Sequence, residues 1–196
     1  MKSVIVIGYM GAGKTTLGRR LAQRLGVCFY DLDWYVESRM HKTIPQIFAD
    51  SGEAAFRLIE RNMLHEVAEF ENVVVSCGGG TPCYFDNMDY MNSRAETIYL
   101  KATPQTLCSH LLAGRTERPL IKGKSPAELL SYITEQLSQR EPFYMKAHHI
   151  IDVSLMDNRS KIEQSVDDLW NELYGNKELR TENCEEVDNR GLQGPV

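Results

Sequence analysis

The segment Gly8-Tyr9-Met10-Gly11-Ala12-Gly13-Lys14-Thr15 constrains the fold of this chain more than any other part. It matches the phosphate-loop pattern Gly-x-x-x-x-Gly-Lys-[Ser/Thr]. The apolar run at 4–7 before it is typical of a buried strand, and leucines at 17, 21 and 25 after it mark one face of a helix. Glycines in that position let backbone N–H groups converge on an anion at a helix N-terminus. The pattern predicts a nucleotide site in an α/β domain.

Two side chains of this loop supply specific chemistry. Lys14 brings a mobile positive charge to the terminal phosphates, and the hydroxyl of Thr15 can ligate Mg²⁺. A glycine-rich turn without a ligand is the alternative interpretation. The Lys-Thr pair and the correct flanking patterns favour the nucleotide site.

Further strand and helix patterns alternate along the chain. Candidate strands near 28–31, 73–75, 97–100 and 149–153, of which 73–75 is entirely apolar, are separated by helical stripes, which predicts a parallel sheet covered on both faces. Helix starts are indicated at Thr43, Thr103 and Ser125, each followed by a proline in the first turn. Short helices are predicted over 34–40 and 44–49, the second ended by Gly52, before a longer helix that begins near 56.

Length and composition narrow the class of protein. The chain of 196 residues predicts one domain over 1–175, followed by a polar and mobile tail over 176–196. A net charge of −5 argues against broad nucleic-acid binding, and no apolar run is long enough to cross a membrane or to form a signal peptide. Five scattered cysteines without a Cys-x-x-Cys pair fit free thiols in a reducing cytoplasm.

The phosphate loop alone leaves three classes of protein open: small-molecule kinases, GTP-dependent switches and ATP-driven motors. A switch needs a guanine-reading Asn-Lys-x-Asp, but the one Asn-Lys pair, at 176–177, is followed by Glu178 and Leu179. A motor would carry an acidic pair at the end of a strand, whereas the strand at 73–75 continues into Ser76-Cys77-Gly78. A kinase that acts on a small molecule remains the leading hypothesis.

Asp31 and Asp33 follow the second predicted strand, where ligands of open α/β sheets bind. On an extended backbone both side chains point the same way, so one carboxylate can serve Mg²⁺ and the other an acceptor hydroxyl. A turn or helix cap is the alternative for this pair. The run of glycines at 78–80 offers N–H groups or a flexible turn. Arg57, Arg118 and Arg140 are candidate anion ligands, although a single arginine is more often a surface charge.

An ordered set of motifs over most of 3–153 resembles the shikimate kinase family. The motifs are the phosphate loop at 8–15, Asp-x-Asp at 31–33, Phe-Arg-x-x-Glu at 56–60, Gly-Gly-Gly at 78–80, Arg-Pro-Leu at 118–120 and Arg-x-Pro-x-Tyr at 140–144. The resemblance implies a three-layer P-loop kinase fold with a five-stranded parallel sheet in the order 2-3-1-4-5. It also implies a substrate-binding helical region at about 34–61 and a lid at about 113–124.

The same resemblance implies residue roles for phosphate transfer from ATP to the 3-hydroxyl of shikimate. Asp33 would be the base or orienting group, with Lys14 and the lid residue Arg118 beside it in catalysis. Thr15 and Asp31 would hold one Mg²⁺ ion. The other assignments concern the nucleotide and the acceptor. The nucleotide would be held by Gly11, Ala12, Gly13, Lys14, Thr15, Thr16, Arg118 and Arg159, and shikimate by Asp33, Arg57, Gly79, Gly80, Arg140, Phe48 and Phe56.

The chain departs from the family pattern at one position. Many members carry an arginine near the adenine, seven residues before the lid arginine, and here that residue is Leu111. Arg115 or apolar packing would then serve the base. A kinase for another polyol acid and a non-catalytic nucleotide-binding regulator remain alternatives. A cytoplasmic monomer without nucleic-acid or membrane partners is expected.

Overall fold

The computed structural model describes residues 3–114, 121, 123–154 and 159–174. Within them, five parallel strands form one sheet in the order β2-β3-β1-β4-β5, as the sequence predicted. The elements are β1 Val4–Ile7, α1 Lys14–Leu25, β2 Cys28–Asp31, α2 Leu32–Met40, α3 Ile44–Ala68, β3 Val73–Ser76, a 3₁₀ turn Thr81–Cys83, α4 Asn87–Arg94, β4 Glu96–Lys101, α5 Pro104–Ala113, α6 Pro126–Tyr144, β5 His149–Asp152 and α7 Arg159–Tyr174.

The centre of the sheet is its most apolar part. Strands β1 and β3 are buried at every residue, and Val4 of β1 lies in register with Val74 of β3 and Glu96 of β4. Helix α1 packs on β1, β2 and β3 and also on α7, while α5 packs on α6. Continuous apolar runs therefore mark strands that are covered on both faces.

Local capping signals set the helix starts. Thr43 and Ser125 each form a complete capping box, with Gln46 and Glu128 as the reciprocal partners. Thr103 accepts a hydrogen bond from the backbone of Thr106. These three starts confirm the sequence prediction, because caps depend on residues within one turn.

The helices after β2 agree with the sequence prediction at one boundary and differ at another. Helix α2 begins at Leu32, two residues earlier than predicted, with Asp31 as its N-cap. Helix α3 spans Ile44–Ala68, and Gly52 divides it into two helical segments, so the predicted break at Gly52 is confirmed. Gly52 has non-helical backbone angles with φ +77°, a conformation that glycine adopts without strain.

Several sequence expectations concern residues outside this description. The tail over 176–196 and most of the lid region, including Arg115 and Arg118, lie outside the described residues. Among the described cysteines, Cys77, Cys83 and Cys108 carry free thiols. No helix in the described ranges is long and apolar enough to span a membrane.

Candidate active site

A cleft of about 780 Å³ opens at the carboxyl ends of the central strands. The phosphate loop after β1 forms one wall, and the carboxylates that follow β2 and the glycines that follow β3 form another. Residues of α3, α5 and α6 complete the lining. Ligands of open α/β sheets bind at this edge, so the cleft is the candidate active site.

The phosphate loop has a backbone that favours glycine. Gly11 and Gly13 have φ values of +85° and +87°, in the left-handed region, and α1 starts directly after Gly13. The amide of Ala12 donates to the carbonyl of Tyr9 over 3.2 Å, and Lys14 Nζ donates to the same carbonyl over 3.0 Å. The N-terminus of α1 and the ammonium group thus face one concavity, which suits a polyphosphate.

The carboxylate of Asp31 lies between two hydroxyl groups. Thr15 Oγ1 and Ser76 Oγ donate to Asp31 Oδ2 over 3.0 and 2.9 Å, and the backbone amide of Asp33 approaches Asp31 Oδ1 at 3.2 Å. These oxygens belong to the phosphate loop, β2 and β3. A hydroxyl and a carboxylate beside a phosphate site suit Mg²⁺, which takes few protein ligands and keeps phosphate oxygens and water.

Asp33 is a partly buried carboxylate of the cleft. Burial, the neighbouring charge of Asp31 and the charge of Glu60 raise the pKa of Asp33 to about 6, while Lys14 opposes the shift. The prediction that Asp31 and Asp33 share an extended backbone is wrong, because Asp33 lies in the first turn of α2. The Asp33 amide donates a capping hydrogen bond to the Asp31 carboxylate, which turns the chain there, and both side chains still line the cleft.

Arg57 is held by two carboxylates. Its Nη1 donates to Glu60 over 2.8 Å, and its Nε and Nη2 donate to Glu53 over 3.3 and 3.1 Å. The ring of Tyr84 covers the guanidinium group at 4.1 Å from its centroid to Cζ. A planar cation with a fixed orientation is suited to recognise a carboxylate.

Arg140 of α6 also lines the cleft, close to Gly79. Its Nη2 donates to Gln136 over 2.9 Å, and its guanidinium group lies 5.5 Å from the ring centroid of Tyr9. The hydroxyl of Tyr144 donates to the carbonyl of Gly79, which ties α6 to the glycine run. The rings of Phe48 and Phe56 pack 4.5 Å apart and provide an apolar wall.

The position that departs from the family pattern also lies in the cleft. Leu111 of α5 is buried and lies close to Gly11, where an added Cβ would come within 3.1 Å of Leu111 Cγ. The neighbouring His110 contacts the carbonyl of Gly11 through Nδ1 at 2.9 Å. A carbonyl can only accept, so His110 carries a proton on Nδ1. At this edge, the phosphate loop therefore contacts the apolar side chain of Leu111 and the imidazole of His110.

Most of the predicted site residues meet in this cleft. Those that line it are Gly11, Ala12, Gly13, Lys14, Thr15, Thr16, Asp31, Asp33, Phe48, Phe56, Arg57, Gly79, Gly80 and Arg140. Arg118 lies outside the described residues, and the described part of Arg159 is its backbone at the start of α7.

Sequence reasoning assigned no role to Glu60 or Glu53. Glu60 is 2 % exposed and accepts from Thr81 Oγ1 over 2.6 Å as well as from Arg57. Both glutamates lie one helical turn from Arg57, at i−4 and i+3, so the spacing was a signal that could have found them. The burial of Glu60 depends on the glycine run and the turn after β3, which the sequence pattern alone does not place.

Comparison with known proteins agrees with this geometry. A family model described as shikimate kinase matches residues 10–173. The shikimate kinase of Phocaeicola vulgatus is 50% identical over 173 residues, which cover 88% of this chain and 99% of that protein. That of Bacteroides fragilis is 50% identical over 169 residues, covering 86% and 94%.

Solved structures give the same result. The crystal structure of shikimate kinase from Bacteroides thetaiotaomicron matches with a TM-score of 0.85 at 48% identity, covering 88% of this chain and 98% of that one. Shikimate kinase from Acinetobacter baumannii in complex with shikimate matches with a TM-score of 0.75 at 32% identity, covering 90% and 95%. The chain therefore belongs to the shikimate kinase family, whose members are phosphotransferases that act on an alcohol group.

Proposed function

We propose that this chain transfers the terminal phosphoryl group of ATP to the 3-hydroxyl of shikimate, giving ADP and shikimate 3-phosphate. The observation that carries the proposal is one cleft lined by Lys14, Asp33, Arg57 and Arg140. A phosphate site, a partly buried carboxylate and two guanidinium groups are what a small hydroxylated acid requires in a kinase.

The nucleotide lies along the phosphate loop. Backbone N–H groups of the loop and the ammonium group of Lys14 bind the phosphates, since they face the same concavity. Thr16 belongs to this side as well. Arg118 and Arg159 are proposed to join from the lid and from α7 by the resemblance alone.

The acceptor lies between the carboxylate of Asp33 and the two arginines. Arg57 and Arg140 bind the carboxylate of shikimate with Gly79 and Gly80, and Phe48 and Phe56 pack against the ring. The 3-hydroxyl donates to Asp33, which takes its proton as the oxygen bonds to the γ-phosphorus and the bond to ADP breaks. With a pKa of about 6, Asp33 is ionised near neutral pH and can accept that proton.

Mg²⁺ is proposed at the hydroxyl of Thr15 and the carboxylate of Asp31. Their oxygen donors fit a hard cation beside phosphates, and Ser76 helps to fix the carboxylate. When bound, the ion would neutralise part of the negative charge on the phosphates. Asp31 is proposed to contact it through water.

The domain plan is part of the same proposal. Residues 34–61 form the substrate-binding region, and 113–124 form a lid that keeps water from the transferred group. A monomer in the cytoplasm remains a prediction.

The decisive experiment measures ADP release with Mg·ATP, with and without shikimate. We expect acceptor-dependent ADP and a new phosphate ester. Preferential turnover of gluconate or another hydroxy acid would indicate a different polyol-acid kinase. ATP binding without turnover of any acceptor would indicate a regulator. Asp33→Asn should keep ATP affinity and lower kcat about 10²–10⁴-fold, the usual contribution of a general base.

A further inference from the structure

The surroundings of Arg57 leave little of its guanidinium group open. Glu53 occupies the edge formed by Nε and Nη2, and Glu60 binds Nη1. An added Cβ on Gly80 would lie 2.9 and 3.0 Å from Nη1 and Nη2, so the backbone of Gly80 lies close to the remaining edge. Tyr84 covers the planar group at 4.1 Å. An incoming carboxylate must therefore displace one of the two glutamates to form a bidentate contact with the guanidinium group of Arg57.

The two glutamates differ in how easily they can leave. The side chain of Glu60 is 2 % exposed and accepts a second hydrogen bond from Thr81. The side chain of Glu53 is 56 % exposed and has solvent available. Breaking a buried ion pair costs much more than breaking an exposed one. Glu53 is the partner that can be exchanged.

Glu53 also lies within the electrostatic reach of both arginines of the acceptor region. The hydroxyl of Tyr84 donates to Glu53 Oε1 over 2.7 Å, and the same oxygen accepts from Arg57. Hydrogen bonds from Tyr84 and Arg57, together with the charges of Arg57 and Arg140, lower the pKa of Glu53. The carboxylate of Glu53 thus meets the same charges that would attract an acceptor carboxylate.

We propose that Glu53 is an internal carboxylate that occupies Arg57 while the acceptor site is empty and is displaced by the carboxylate of the acceptor. This inference rests on the proposed function. Tyr84 is a positioning residue, because its hydroxyl holds Glu53 in the occupied position while its ring orients Arg57. The exchange keeps Arg57 paired in both states and makes acceptor binding a competition between two carboxylates.

Competition between Glu53 and the acceptor predicts that removal of the Glu53 charge lowers KM for shikimate, whereas a purely structural role predicts that it raises KM. Glu53→Gln removes the competing charge, so we expect KM for shikimate to fall about two- to fivefold, the range for an exposed ion pair. The kcat and the KM for ATP should stay unchanged, because neither depends on this contact. If Glu53 served mainly to orient Arg57, the same variant would raise KM for shikimate.

Two further variants separate occupancy from net charge. Glu53→Asp keeps the charge but shortens the side chain, so it should also lower KM for shikimate. Tyr84→Phe removes the hydroxyl that holds Glu53 and keeps the ring over Arg57, so it should also lower KM for shikimate. A wild-type KM in Glu53→Asp, with a lowered KM in Glu53→Gln, would assign the effect to charge alone and overturn the displacement.

The chain offers a matched control outside the cleft. Glu69 accepts from the hydroxyl of Tyr90 over 2.7 Å and from Arg94 over 3.1 Å, which repeats the same three side-chain types. Glu69→Gln should leave KM for shikimate unchanged.

The outcomes distinguish the two proposals. Wild-type protein without shikimate-dependent ADP release would overturn the proposed function, and this inference with it. Wild-type turnover combined with a raised or unchanged KM in Glu53→Gln would overturn the inference alone. Thermal unfolding of each variant identifies any loss of folded protein.

Discussion

Thr15 and Asp31 are joined across two elements by a hydrogen bond of 3.0 Å from Oγ1 to Oδ2. Thr15 lies in the first turn of α1, and Asp31 ends β2, so the pair links the phosphate loop to the acidic edge of the sheet. Ser76 at the end of β3 donates to the same carboxylate oxygen over 2.9 Å. Hydrogen bonds from α1 and β3 therefore fix the orientation of a carboxylate that belongs to β2.

Thr15→Val tests whether this hydroxyl serves the metal. The variant keeps a β-branched side chain but removes the oxygen donor. We expect the free Mg²⁺ concentration for half-maximal ADP release to rise about 10–100-fold, the range for loss of a supporting metal contact. Affinity for ADP in EDTA is the control and should stay near the wild-type value. An unchanged Mg²⁺ requirement would remove Thr15 from the metal site.

The pH dependence of kcat/KM should report the ionisation of Asp33. The proton of the acceptor hydroxyl passes to an ionised carboxylate, and burial raises the pKa of Asp33 to about 6 in the free protein. We expect kcat/KM for shikimate to fall about tenfold per pH unit below about 6 and to be level just above it. Protonation of ATP could also lower kcat/KM at low pH. The residual activity of Asp33→Asn would keep a decline due to ATP and would lose the decline due to Asp33. A decline of kcat/KM that begins only near pH 4 would contradict a raised pKa for Asp33.

The same pKa shift makes Asp33 a cost to stability at neutral pH. Below the ordinary value of 3.8 the carboxyl is protonated in both the folded and unfolded states, so burial carries no charge penalty. Between 3.8 and about 6 the folded state binds the proton more tightly, so the free energy of unfolding falls as the pH rises. Above about 6 the loss is complete, and it amounts to at most ~3 kcal/mol.

Asp33→Asn should therefore stabilise the protein while it removes activity. We expect the variant to unfold at higher urea concentration than wild type at pH 7.5, by up to ~3 kcal/mol, and the difference to vanish near pH 3.5. Denaturation curves at both pH values in EDTA give the comparison. Equal free energies of unfolding for Asp33→Asn and wild type at pH 7.5 would mean that water solvates Asp33 well and that its pKa is not raised. Such a trade of stability for activity is common at active sites.

The sequence predicted the parts of the molecule that depend on local patterns. The apolar run of β1, the glycines of the phosphate loop and the cap at Ser125 each involve residues within a few positions, so their conformations follow from the sequence. The sheet order came from the resemblance, not from periodicity. Local signals cannot order strands that meet only in the folded chain.

Contacts that depend on the turns were not predicted. The amide of Asp33 donates to the carboxylate of Asp31, and this cap starts α2 early. A strand pattern followed by acidic residues does not distinguish such a cap from an extended pair. The buried hydrogen bond from Thr81 to Glu60 spans 21 positions and follows from the packing of the turn after β3 on α3.

The glycine run after β3 offers two substitutions that should affect different steps. Gly80 has φ −88°, which alanine adopts without strain, so the effect of Gly80→Ala is steric. The new Cβ would lie 2.9 Å from Nη1 of Arg57, whose movement is restricted by its ion pair with the buried Glu60. We expect KM for shikimate to rise at least about tenfold, with a near-normal kcat and ATP affinity.

Gly78→Ala acts on the carboxylate instead of the arginine, so the two variants control each other. Its Cβ would lie 2.8 Å from Asp33 Oδ1 and 3.4 Å from Glu60 Oε1. Since Glu60 is itself fixed by Arg57 and Thr81, Asp33 is the group that must move, and a shift of about 1 Å at a reacting group can cost about 10²-fold in rate. Steady-state kinetics should therefore show a lowered kcat for Gly78→Ala and a raised KM for Gly80→Ala. The same loss of kcat in both variants would mean that the glycine run moves as a unit and that Arg57 and Asp33 cannot be perturbed separately.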